Sequence, residues 1–95
     1  QENAMALTKE TVVDKIEVLE MGQVQVRTAT RVKEDGAVLS SSFHRHVIEP
    51  RTKVGDTWED TDISSEDARV QAICNASWTA DVKTAYQNMI NAQSL

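Results

Sequence analysis

Gln23-Val-Gln-Val-Arg-Thr-Ala-Thr-Arg-Val-Lys33, followed by Glu34-Asp-Gly36, decides how the chain is read. Val24, Val26, Thr28, Thr30 and Val32 point one way. Gln23, Gln25, Arg27, Arg31 and Lys33 point the other. Such period-two alternation is the pattern of an antiparallel strand with one face buried and one wet. Asp35-Gly36 then supplies the positive backbone angles of a tight hairpin turn.

The neighbouring segments extend the pattern. Upstream, Thr11-Val-Val-Asp-Lys-Ile-Glu-Val-Leu-Glu20 is rich in β-branched residues, with Ile16 and Val18 alternating with Lys15 and Glu17, and Met21-Gly22 breaks the run. Downstream, a third strand is expected from about Ala37 to Ile48, stopped by Glu49-Pro50 because proline cannot donate to a ladder. Short turns join the three, which predicts a three-stranded antiparallel meander over about residues 11–49.

Residues 50–64 read as a polar linker containing Gly55, the acids Asp56, Glu59, Asp60 and Asp62, and Trp58 alone among them. Helices are expected over about 65–93. Ser64 or Ser65 is placed to cap the first, with Glu66 and Asp67 in its opening turn. Val70, Ile73, Cys74 and Ser77 form its stripe. Trp78-Thr79 marks a joint, and Thr79 caps a second helix whose Val82, Ala85, Tyr86, Met89 and Ile90 follow helical spacing; one long helix kinked at Trp78 is the alternative. Packing the helices on the valine face buries both apolar surfaces. The expected class is α+β: a single domain over residues 5–95, with a β-meander and two C-terminal helices on one face of its sheet. Gln1–Ala4, ahead of Met5, read as an expression-derived extension.

The 95 residues include 15 acids and 10 bases, for a net charge of −5 and an isoelectric point near 4.9. That balance speaks against nucleic acid, whose phosphates demand basic surface. No apolar run is long enough to span a bilayer, and no signal peptide is visible. A lone cysteine excludes an internal disulfide. With one Phe, one Tyr and two Trp, the core is lean. A core this small is often supplemented by another subunit, so a homo-oligomer is expected, burying an apolar patch or an open sheet edge.

Few residues suggest chemistry. His44 and His46 share a strand face and are weak candidates for a metal, with no second ligand pair at metal-type spacing. Cys74 lies on an apolar helical stripe and reads as core. Asp60-Thr-Asp62-Ile-Ser64 begins like a calcium loop, but Ser65 and Gln71 occupy the positions of its Gly and Glu. Arg27, Arg31 and Lys33 line one strand face as interaction candidates, and Arg45 or Arg51 extends the strip. Trp58 either folds back onto the core or anchors a partner. No catalytic residues and no cofactor are expected.

Ser41-Ser-Phe-His-Arg-His-Val-Ile-Glu-Pro50, Glu66-Asp-Ala-Arg-Val-Gln-Ala-Ile73 and Trp78-Thr-Ala-Asp-Val82 with Ala85-Tyr86 together resemble a class of small uncharacterised proteins from tailed-phage and marine viral genomes. In that class acids and Gly follow the Pro closely; here Arg51-Thr-Lys-Val-Gly55 intervenes. The resemblance implies a phage protein encoded near tail or other structural genes, and it transfers no functional residues. The expectation is therefore a non-enzymatic, virion-associated or self-assembling structural protein, located in the virion or in the host cytoplasm during infection, with itself and other virion proteins as partners. The alternatives are a small acidic protein that binds a host factor and, behind it, a metal-binding module at His44 and His46.

Overall fold

In the computed structural model, residues 6–93 are described; Gln1–Ala4, read as an extension, lie outside them. Three long strands, β1 (Leu7–Val18), β2 (Val24–Glu34) and β3 (Ala37–Ile48), form an antiparallel sheet in the order β1-β2-β3. Two helices follow, α1 (Ala68–Ser77) and α2 (Ala80–Gln93). The class is α+β, with the meander first and the helices last. No described helix is long and apolar enough to cross a membrane.

Turn chemistry sets the register. Asp35 (φ 51°) and Gly36 (φ 86°) both take positive φ between paired Glu34 and Ala37, as a two-residue type I′ turn requires. The strands are uneven in number because each outer one carries a bulge. In β1 the extra residue is Asp14, between the pairs Val13–Thr28 and Lys15–Arg27. In β3 it is Leu39, between Ser40–Val32 and Val38–Lys33.

The core lies at one end of the sheet. Val24 and Val26 of β2 and Ile48 of β3 pack with Val70 and Cys74 of α1 and with Trp78, flanked by Val13, Ile16, Ile63 and Val82. These sheet residues share a face because directly paired residues do: Val26 pairs with Ile16 and His46, and Val24 with Val18 and Ile48. Val32 belongs to the same face of β2 but lies outside this core. The reason is length. Ten helical residues span about 15 Å, whereas a strand of β2's length spans about 37 Å. The sheet therefore runs on past the helices as a ribbon, and the molecule measures 66 × 25 × 23 Å.

Two expectations need correction. The supposed linker over 50–64 contains a hairpin, β4 (Arg51–Val54) and β5 (Thr57–Asp60), turning at Gly55 (φ 62°) and Asp56. Its strands are short and mostly polar, so only Val54 and Trp58 marked a period. The cap of α1 is Asp67, whose carboxylate accepts the Arg69 N–H at 2.9 Å, rather than Ser64 or Ser65. Those serines are held in a preceding turn, where the Asp62 carboxylate accepts the Ser64 N–H and the Ile63 carbonyl accepts the Glu66 N–H. Thr79 caps α2 as expected, its hydroxyl accepting the Val82 N–H at 3.2 Å.

The helix joint is tied to the β1–β2 turn. The buried Trp78 indole donates to the Gly22 carbonyl at 2.7 Å. Gly22 has φ +92°, and a Cβ there would stand 2.6 Å from Val82 Cγ1 and 3.1 Å from Pro50 Cγ. Gly22→Ala should therefore cost about 3 kcal/mol, combining left-handed strain with overpacking. Trp78→Phe should cost about 1–3 kcal/mol by leaving the Gly22 carbonyl without its donor. Urea unfolding of the two variants beside the parent checks both values.

Candidate functional site

The basic strip is real as a row and is answered by acids. Arg27, Arg31 and Lys33 share the sheet face away from the helices. The Arg27 guanidinium makes a two-pronged contact with the Asp14 carboxylate, at 3.0 and 2.7 Å. Glu10 lies 3.6 Å from Arg31 and 2.9 Å from Lys33. The Arg27 hydrogen bonds hold the Asp14 carboxyl below its usual range, and Lys33 does the same for Glu10. Sequence reasoning missed these partners because a simple hairpin register puts Glu10 opposite Val32. The Asp14 bulge shifts the distal half of β1 by one residue and sets Glu10 opposite Arg31. Arg45 pairs directly with Arg27 and extends the same face. Arg51 does not, because it belongs to β4 and bonds Gln87, Asp60 and the Trp58 carbonyl.

Trp58 packs back on the helices. It is half-buried, edge-on to Tyr86 of α2 with centroids 6.1 Å apart, and the Lys53 ammonium is 5.8 Å from its ring. Asp60 bonds Lys83 of α2 as well as Arg51, and these two cations lower its pKa. The hairpin is thus stapled to α2. Tyr86 is buried beneath it, and burial followed by a hydrogen bond with Glu49 pushes its hydroxyl pKa up to about 12.

His44 and His46 stack with centroids 6.3 Å apart. His46 Nε2 lies 2.9 Å from a Glu66 oxygen on the segment before α1. Among the described residues no group of three or more His, Cys, Asp or Glu gathers as a metal site. Cys74 is fully buried in the core, and burial with the nearby Glu66 charge pushes its thiol pKa up, away from the nucleophilic thiolate. Asp60 and Asp62, which opened the calcium-like pattern, are engaged by Lys83 and Arg51 and by the Ser64 N–H respectively.

Among the described residues, β3 is the long strand most open to solvent. Every residue from Ala37 to Arg45 is exposed. Of the large apolar side chains left in solvent, Val38, Leu39, Phe43 and Val47 are on this strand, and Leu7, Val18, Leu19 and Val54 are exposed elsewhere. The Arg27 guanidinium sits 4.4 Å over the Phe43 ring, on the face away from the helices. The signal was present in the sequence as the near absence of charge in Ala37–Ile48, where Arg45 is the sole Asp, Glu, Lys or Arg. No family model matches the chain, and neither does any curated protein or solved structure.

Two titrations check these environments. Asp14 is held below its ordinary pKa when folded, so its stabilisation is present above about pH 4 and is lost as pH falls through the folded value. Asp14→Asn should flatten the acid side of the stability–pH curve, read from thermal melts between about pH 5 and 2. The single tyrosine gives an unambiguous ultraviolet signal: phenolate should appear near pH 12 in the native chain and near 10 in urea. In the window between those values the folded state loses stability as pH rises, because only the unfolded tyrosine has ionised.

Proposed function

We propose that the protein is a non-enzymatic, self-associating structural protein of tailed-phage type, a virion component or an assembly factor acting in the infected cell. The observation that carries this reading is the projecting ribbon. About half of the long sheet extends beyond the helices, and its outer strand β3 presents Val38, Leu39, Phe43 and Val47 to solvent. Exposed apolar groups spaced along a strand with one open edge mark an interaction surface, since that edge offers a ladder of free N–H and C=O groups. The lean core agrees with this, because partner burial would add apolar contact that the monomer lacks. The phage attribution rests on the resemblance of Ser41–Pro50, Glu66–Ile73 and Trp78–Val82 with Ala85-Tyr86.

The second reading, an acidic protein aimed at a basic host factor, draws on the net charge of −5. It ranks lower because Glu10, Asp14 and Asp60 are engaged by this chain's own cations. Light scattering coupled to size exclusion tests the preferred reading over a wide concentration range. The mass should rise from the 10.6 kDa of one chain towards that of a defined oligomer as concentration increases. A monomer at every concentration would overturn self-association and leave the host-factor reading in its place.

A further inference from the structure

We propose that the free edge of β3 is the self-association surface, and that its occupant is β3 of a second copy, paired antiparallel about a two-fold axis through Phe43. This rests on the self-association reading and specifies the strand, orientation and register that would produce it.

The two edges of the sheet differ in chemistry. β1 carries Lys9, Glu10, Asp14, Lys15 and Glu17, and it is interrupted by the Asp14 bulge. Charged side chains and a mid-strand bulge are the devices by which natural sheets block edge pairing. β3 has a bulge only near its tip, at Leu39, and from Ser40 to Ile48 its pairing with β2 is unbroken. That nine-residue run, Ser-Ser-Ser-Phe-His-Arg-His-Val-Ile, includes no Lys, Asp, Glu or Pro. It spans about 30 Å. The edge nearer the apolar row is the undefended one.

The strand also complements itself. A two-fold pairing of antiparallel strands keeps like faces together, so it must centre on a residue. Centred on Phe43, it sets ring against ring, His44 against Ser42, Arg45 against Ser41 and His46 against Ser40, with Val47 beside Leu39. Arg45 and the two imidazoles then each meet a hydroxyl, and the large apolar groups meet one another. Centred on Arg45 instead, the two guanidinium groups would oppose; centred on Ser42, Arg45 would fall beside Leu39. Arg27 already holds the Phe43 ring at 4.4 Å, which places the two central rings for contact on the helix-free face.

The result is a continuous six-stranded sheet. Its helices lie on one face at opposite ends, because each core sits by Ile48 and each tip by Ala37. The head of one copy thus lies alongside the bare tip of the other. The seven residues a side from Ser40 to His46 that pair within the regular run are fewer than the roughly 20–30 of a standard interface, so the dimer should be concentration-dependent.

Cysteine scanning tests the register, with the oligomeric state of the parent measured alongside. Directly opposed residues in an antiparallel pair are about 4.5–5.5 Å apart at Cα, within disulfide reach. Phe43→Cys should therefore oxidise to a covalent dimer in high yield, while the parent, with Cys74 buried, should not. Ser41→Cys alone should not cross-link, since its symmetry mate is about 14 Å along the strand, but it should when mixed with Arg45→Cys. Phe43→Lys should raise the dimer dissociation constant at least about tenfold by opposing two charges on the axis, with a monomer melt lowered only slightly by loss of the Arg27 contact. If the parent dimerises and Phe43→Cys fails to cross-link, or Ser41→Cys cross-links as readily, the β3 register is wrong while self-association survives. A parent that stays monomeric removes both.

Discussion

The hydrogen bond from the Trp78 indole to the Gly22 carbonyl joins residues 56 apart in the chain and fixes the relation between sheet and helices. Both partners are buried, so neither has water as an alternative, and losing one strands the other. Gly22 takes a left-handed conformation and has no side chain, which lets Val82 and Pro50 close over it. Trp78 also ends α1, its own N–H bonding the Cys74 carbonyl, so the residue that stops one helix is the one that grips the turn. Once that turn is held, β1 and β2 leave it in a set direction. Val24 and Val26 then face Val70 and Cys74, and everything beyond the reach of α1 must project.

A second constraint is the single extra residue at Asp14. A one-residue shift in pairing moves every later side chain of a strand to the other face relative to its partner. Here the shift brings Glu10 beside Arg31 and Lys33 on the outer face of the ribbon, and it leaves Asp14 itself beside Arg27. The charged row on β2 is thereby matched, the β1 edge becomes crowded with charge, and β3 remains the bare side. Surface character and edge protection follow from the same local irregularity.

Much of the fold was legible because periodicity reports backbone geometry directly. The alternation from Gln23 to Lys33, the Asp35-Gly36 turn and the spacing from Val82 to Ile90 each require only neighbours in sequence to be read. The β4–β5 hairpin was not legible, since its strands bury little. Its stability comes from Arg51, Asp60 and Trp58 reaching Gln87, Lys83 and Tyr86 on α2. Trp58 was recognisable as an unusual residue in an acidic stretch, but its packing against Tyr86 depends on a helix that begins 22 residues later. The basic row was visible, whereas its carboxylate partners were hidden by a bulge that no composition signal marks.

Local propensity and side-chain period are enough to set the three long strands, the two helices, the α+β class, the valine face of β2 and the near absence of charge along β3. Only the tertiary structure decided the length of sheet left bare, the neutralisation of Arg27, Arg31 and Lys33, the cap at Asp67, and the docking of the helix joint on Gly22. These depend on register and on distances between segments far apart in the chain, which follow from how the whole molecule packs and not from any stretch read alone.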